Sequence, residues 1–398
     1  MFKKIKVDSL DIISLMNGLV FFAPVALLVR LEAGLTTSQF FVLQAFLSVI
    51  ILFFEIPTGK LTDIIGYRNT IIMSQVMLTL ARILLLVSFI TGSLVIFFVE
   101  AFVEGIAACF SSGTQSSYLY EFYSEDEYAM KMAHVSNFGT AGFIISTCLY
   151  AVLYKFTGLE GLLGCTIATS MCGLLATFTL KKEDRTVKHE ENDKFNKIHT
   201  ETIKSIICNP LTLIIMISFS IVSIVYIMIN FFYVEKLQLI GIDEKMMTFI
   251  ILGYSVIQLL SEKILDLFEG KYRRILPSFF AVAGVLLVVF GFVTNKIIAI
   301  LIMLILPLLV DVPCFILEEM QNKIVDENKL DEKRAEILSI MNMGVNLVEV
   351  IFLFDSAIFS KAGVVACFFV IGIVVVVISV IIGILLVRRR QILSADQE

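Results

Sequence analysis

Apolar residues gather along the chain into twelve runs, each long enough for one helix across a bilayer, which needs about 20 mainly apolar residues. They cover residues 10–30, 39–60, 69–91, 93–120, 128–154, 160–180, 207–234, 245–266, 275–294, 296–322, 335–358 and 363–387. The first follows a basic start, Met1-Phe2-Lys3-Lys4-Ile5-Lys6, but its apolar stretch exceeds a signal core. It is expected to stay as span 1. The polar stretches between runs are short, with one exception. Residues 181–204 carry seven basic and six acidic side chains, a composition that suits a solvated linker. The pattern predicts an all-α integral membrane protein of twelve transmembrane helices in two six-helix bundles, 1–180 and 207–398, joined by a linker at 181–206.

Composition agrees. AVILMFWYC residues make up 58% of the chain, charged residues 17%, and mean hydropathy is +0.92. Soluble domains hold roughly 45–50% apolar and 25% charged residues, so a water-soluble globule is excluded. A net charge of −5 gives no basic footprint for nucleic acid. The seven cysteines form no Cys-x-x-Cys pair and the three histidines (134, 189, 199) are scattered, so neither a metal site nor a disulfide framework is expected. No Gly-x-x-x-x-Gly-Lys-(Ser/Thr) loop is present for ATP. His134 lacks a His-x-x-x-Asp pattern and no catalytic constellation is visible, so no enzyme and no cofactor are expected.

Lysine and arginine set the orientation. With the N-terminus inside, 24 of the 31 lie in cytoplasmic segments, six in outer loops, and Arg82 within a span. Both termini are expected to face the cytoplasm, in the cell membrane. The halves also echo each other. Asp63 and Gly66 are matched by Asp266 and Gly270, and Asn137-Phe138-Gly139 by Asn342-Met343-Gly344, all at offsets of 203 to 205. Internal duplication is common in secondary transporters, whose substrate site lies between the repeats.

Between spans 2 and 3 the chain reads Gly59-Lys60-Leu61-Thr62-Asp63-Ile64-Ile65-Gly66-Tyr67-Arg68. Gly59 and Gly66 permit close backbone approach and positive φ where the chain turns back. Asp63 is placed to accept backbone N–H groups from the start of another helix, where the dipole favours an anion. The segment resembles the signature loop of the major facilitator superfamily, Gly-x-Leu-x-Asp-x-x-Gly-x-(Arg/Lys). The preceding Glu55-Ile56-Pro57-Thr58, and also Ser112-Gly113 through Glu121 and Arg334 through Ser339, look like the drug-efflux-like bacterial branch. The resemblance implies that Asp63 meets the start of span 11 near Ala335, that Arg68 pairs with Glu121, and that this cluster latches the halves together. Two departures stand out. The Arg-x-x-Gln-Gly pattern of proton-driven exporters appears as Ala101-Phe102-Val103-Glu104-Gly105, without its arginine, and Gly139-Thr140-Ala141-Gly142 lacks a Gly-Pro pair.

A charge at the bilayer centre costs about 2.5–3.5 kcal/mol even on permissive scales. Arg82, Glu100, Glu104, Asp311 and Glu349 lie well inside apolar runs, with Glu55, Glu318 and Asp355 nearer the ends. They must face a cavity, pair, or be neutral. Glu100 and Glu104, four apart, share one face of span 4. Two close carboxylates in low dielectric cannot both ionise cheaply, a property that suits a proton carrier. A buried structural pair with Arg82 is the alternative. Asp311 lies between Pro307 and Pro313, where a broken helix can line a cavity. Asn17, Gln44, Asn137, Asn230, Gln258, Asn342 and Asn346 are candidate cavity linings, although helix–helix hydrogen bonds explain such residues equally well. Tyr118, Tyr120, Tyr123 and Tyr128 read as an interfacial aromatic belt.

The expected function is proton-coupled efflux of a small lipophilic compound by alternating access; the alternative is a proton-coupled uptake symporter for a small polar solute. The expected partners are that solute, the proton and the lipid bilayer, with the chain acting as a monomer.

Overall fold

The computed structural model describes residues 6–23, 26–183, 209–242, 245–268, 271–328, 330 and 333–395. Most of the expected linker therefore lies outside the described residues. In the first half, α1 (Ser9–Gly18) opens on a capping box between Asp8 and Asp11. The chain leaves helical geometry after Gly18 and re-enters it in α2 (Ala26–Glu32), so span 1 is two short helices. Next come α3 (Thr37–Ile65), α4 (Tyr67–Thr91), α5 (Leu94–Ser111) and α6 (Thr114–Phe122). Span 4 is thus divided at Ser112-Gly113, where Gly113 has a φ of 66°. Spans 5 and 6 run as α7 (Glu125–Thr177), turned only at Gly158.

The second half repeats this economy of turns. Span 7 is α8 (Pro210–Ile227), a wide turn at Met228–Phe232 and α9 (Tyr233–Leu239). Span 8 is α10 (Lys245–Gln258) followed by α11 (Ser261–Leu267). Then come α12 (Tyr272–Phe292), α13 (Lys296–Glu327), α14 (Arg334–Ala362) and α15 (Val364–Ala395). Both Pro307 and Pro313 lie inside α13, and each removes a ladder hydrogen bond.

One boundary differs from the sequence expectation. The segment from Lys60 to Ile65 is helix, the end of α3, and the connection to α4 is Gly66 alone, at a φ of 90°. Hydropathy ended the span where charge began, yet backbone hydrogen bonds continue beyond the apolar zone.

Packing within each half is dense. A Cβ on Gly18 would run into the Gly139 carbonyl, and one on Gly142 into that of Leu15. So α1 and α7 cross backbone to backbone, as small residues allow in membrane helices. Helix α12 lies against α15, closed by the edge-to-face pair Phe290 and Phe368. The halves meet where α3 packs on α14 and where α7 packs on α10, α11 and α13. Large apolar side chains such as Phe53, Val95, Phe156 and Phe249 stand exposed around the outside. Among the described residues seven helices are long and apolar enough to cross a membrane. The all-α membrane fold is as expected.

Candidate functional site

Asp63 ties the halves together at one end. Its Oδ1 accepts the Ala335 N–H at 3.0 Å and its Oδ2 the Glu336 N–H at 2.8 Å. These are the free amides at the start of α14, where the helix dipole also favours an anion. Each charge-assisted bond is worth about 1.5–3 kcal/mol. The nearby Lys60–Glu336 pair, 3.3 Å apart with the lysine well exposed, contributes about 0–1 kcal/mol. Asp63 therefore dominates. Gly59 lets α14 come this close, since a Cβ there would sit 2.9 Å from the Ala335 carbonyl oxygen.

Arg68 departs from expectation. Its Nε donates to the Leu180 carbonyl and its Nη2 to the Phe178 carbonyl, both at 3.0 Å, while its backbone N–H donates to Glu183. The guanidinium thus holds the frayed carbonyls after α7, whereas Glu121 is exposed and makes no ion pair with it. The sequence could not show that these carbonyls, rather than an acidic side chain, lie beside Arg68.

A second polar knot at this end escaped the sequence reading. Lys131, fully buried, donates to Asp11 at 2.6 Å and pairs with Asp8 at 3.1 Å. His134 Nδ1 lies 2.9 Å from the other Asp11 oxygen, and the Tyr123 hydroxyl donates to Asp8. Lys131 and His134 are one turn apart on α7, as Asp8 and Asp11 are at the start of α1, a reciprocal spacing that was the available signal. One turn further along α7, Asn137 donates to the Leu259 carbonyl and accepts from Ser261, closing the break between α10 and α11. Its offset partner Asn342 also crosses between halves, donating to Ser112, which in turn donates to Glu55 at 2.6 Å.

Two cavities lie on the seam between the halves. The first, about 430 Å³, is walled by Ser14, Ser136 and Thr140 on one side and Tyr226, Tyr254, Ser255 and Gln258 on the other, with Pro307 at its edge. The second, about 250 Å³, is walled by Ser112, Ser116, Glu318, Gln321, Asn342 and Asn346 among others. Of the expected linings, Asn342, Asn346 and Gln258 are there. Asn17 is not: it exchanges amide hydrogen bonds with Gln75 between α1 and α4. The side chains of Glu349, Asn230 and Asp355 lie outside the described residues.

The remaining membrane charges separate into two groups. In the first half Arg30 pairs with Glu100 at 3.7 Å, and Glu104 and Arg82 complete a cluster of two positive and two negative groups. Arg82 also lies over the Phe22 ring at 5.2 Å. Arg30, the last residue of the expected span 1, is the member that sequence reading missed. None of the four lines either cavity. The second group, Asp311 and Glu318, stands on α13, and neither makes an ion pair among the described residues. Tyr128 is not part of an interfacial belt: it is fully buried, its hydroxyl shared with Ser116 at 2.6 Å.

Comparison with known proteins places this geometry. The chain is similar in fold to the human organic anion transporter MFSD10 (TETRAN), at 13% identity and a TM-score of 0.70, covering 94% of this chain and 97% of that one. It is similar to the E. coli fucose:proton symporter FucP at 11% identity and a TM-score of 0.73, over 94% and 96% of the two chains. A bacterial homologue of the iron transporter ferroportin, in an outward-facing state, aligns at 10% identity with a TM-score of 0.69 over 94% and 96%. No curated protein sequence matches. The family model of the Major Facilitator Superfamily matches residues 10–317. With that match over most of the chain, and both halves meeting on a cavity-bearing seam, this protein belongs to the Major Facilitator Superfamily and is a membrane transporter, not an enzyme.

Proposed function

We propose that this chain is a proton-coupled secondary transporter that moves a small, hydrogen-bonding solute across the cytoplasmic membrane by alternating access. The observation that carries the reading is the make-up of the seam: seven of the eleven residues lining the first cavity and eight of the fourteen lining the second carry a hydroxyl or amide group. A lipophilic cargo would call for a mainly aliphatic and aromatic wall with few polar groups. The polar solute, the alternative in the sequence reading, fits better. Carboxyls at Glu55 and Asp311, both buried, and at Glu318, half-buried in the cavity wall, make no ion pair among the described residues and supply sites for the coupling proton. The Asp63 hydrogen bonds to α14 supply a contact that must break for the halves to part. From the lysine and arginine bias we infer that the Asp63 end faces the cytoplasm, that both termini lie there, and that bundles 1–180 and 207–398 rock as units within a monomer.

A second reading is export of a lipophilic compound in exchange for protons. It is favoured by the efflux-like segments around Ser112-Gly113 and Arg334 to Ser339, and by Phe143, Tyr226 and Tyr254 in the first cavity.

The full chain in proteoliposomes, given an imposed pH gradient and a panel of labelled sugars, polyols, amino acids and amines, decides between them. A solute accumulated only while the gradient lasts fits the proposal, with the direction read from proton movement alongside it. Gradient-driven movement of lipophilic dyes, and of no polar solute, transfers the assignment to the second reading.

A further inference from the structure

Resting on the transport reading above, we infer that the cavity beside Glu318 is a cation site, holding the ammonium group of a small amine that also carries a hydroxyl or carbonyl oxygen.

The argument begins on α13. Pro307, Asp311, Cys314 and Glu318 follow one another at spacings of four, three and four, and so lie along one face. Pro307 edges the first cavity and Glu318 lines the second, so this face runs along the seam from one to the other. Among the described residues Glu318, half-buried, is the single charged side chain in the lining of the second cavity. Its described hydrogen bond is a long one, from the Tyr128 hydroxyl at 3.4 Å. The basic groups nearby are engaged elsewhere. Arg334 pairs with Asp326, donates to Asn322 and lies over the Tyr120 ring. Lys131 is held by Asp8 and Asp11. A carboxylate partly withdrawn from water without a counter-charge is disfavoured, so it calls for a proton or a cation.

Gln321 supplies the second, independent sign of a ligand. Its side chain is 3% exposed and lines the same cavity, yet its Nε2 has no hydrogen-bond partner. A buried amide donor left unpaired is costly, and it asks for an acceptor on whatever occupies the space. The occupant that satisfies both residues carries a positive charge for Glu318 and, a short distance away, an oxygen for Gln321. The serine and asparagine groups of Ser112, Ser116, Ser223 and Asn342 can share the remaining hydrogen bonds. Among the described residues an anion finds no lysine or arginine in this wall, and a neutral polyol supplies no counter-charge to an ionised Glu318. The volume of about 250 Å³ limits the guest to a small molecule.

The test is thermal unfolding of the full chain in detergent micelles with ethanolamine, ethylamine, ethylene glycol or sodium chloride at matched concentration and ionic strength. Ethanolamine is expected to raise the midpoint most, ethylamine less, and ethylene glycol and sodium chloride not at all. Glu318→Gln, similar in size, should weaken the ethanolamine effect at least tenfold in half-saturating concentration while keeping the ligand-free midpoint. If that variant fails to fold, Gln321→Leu decides, because it should erase the preference for ethanolamine over ethylamine. Equal shifts from ethylene glycol and ethanolamine, a shift surviving in Glu318→Gln, or a shift from sodium chloride alone would each overturn the inference. Binding is read here without flux, so amine binding in a chain that transports nothing sinks the transport reading alone. Proton-driven flux of a neutral polyol without any amine effect sinks this inference alone.

Discussion

Asp63 and Ala335, 272 residues apart, are joined by a 3.0 Å hydrogen bond from the backbone of one half to a side chain of the other. The bond exists because α14 starts within reach of the last turn of α3, presenting amides that no residue of its own helix can satisfy.

Asp63→Asn should loosen this end. One amide oxygen can still accept, but the –NH2 then faces a second N–H donor, so one charge-assisted bond is replaced by a repulsive contact. The loss of about 1.5–3 kcal/mol corresponds to a tenfold or larger shift toward the parted state. Spin-label distances between α3 and α14 report it directly. A distribution identical to that of the unaltered protein would remove Asp63 from the closing contact.

Gly59 sets how near the two helices come. In Gly59→Ala the new methyl would meet the Ser339 side chain, whose Cβ lies 2.7 Å from that position. Closure should be hindered while each half keeps its own packing. A cysteine placed at Ser339, which is 1% exposed, should then react with a water-soluble thiol reagent at least tenfold faster. Adding Ser339→Gly to Gly59→Ala should recover part of the lost transport, and no recovery would show that the clash lies with the Ala335 carbonyl instead.

Lys131 tests the buried knot. Lys131→Met leaves Asp11, itself fully buried, with His134 as its remaining side-chain partner from α7. Removing one member of a buried ion pair costs about 3–5 kcal/mol, whereas removing both is often nearly neutral. The single variant should therefore unfold at a clearly lower temperature, and Lys131→Met with Asp11→Asn should regain much of the difference. A single-variant loss below about 1 kcal/mol would mean that water already screens the cluster.

The membrane-spanning helices were legible because lipid imposes a length and a polarity on every helix that faces it. Legibility fell where helices face one another. Spans 1, 4 and 8 look continuous in hydropathy, but they break at residues 19–23, 112–113 and 259–260, and span 7 widens at 228–232. Breaks of that kind are tolerated because neighbouring groups, such as Asn137 on the Leu259 carbonyl, satisfy the freed backbone. That Asp63 would accept amides of another helix start was readable from its place beside the glycine turn, whereas the start near Ala335 was implied only by the resemblance to the family's signature loop. The destinations of Arg68 and Asn17 were not, because a long or amide side chain has several partners within reach and only the packing of α4 on α7 and α1 selects one. Lys131 and His134 went unread for the opposite reason. A lysine at a span end reads as a solvated charge until Asp8 and Asp11 are known to fold over it.

Glu55 offers the sharpest test of coupling. It is fully buried on α3, its Oε1 accepts from Ser112 at 2.6 Å, and its Oε2 has no donor in reach. Through Ser112 it is linked to Asn342 on the other half. An ionised carboxylate with a starved oxygen in this position is costly, and a proton on that oxygen removes the cost. Glu55→Gln imitates the protonated group in shape and leaves the Ser112 hydrogen bond available. The variant should fold, losing no more than the cost of one unpaired amide, about 1–3 kcal/mol, and keep exchange of solute for solute across the bilayer. Net accumulation driven by a pH gradient should fall at least tenfold. Exchange and gradient-driven transport lost together would make Glu55 a structural link between α3, α5 and α14, and gradient-driven transport left intact would place the coupling proton elsewhere.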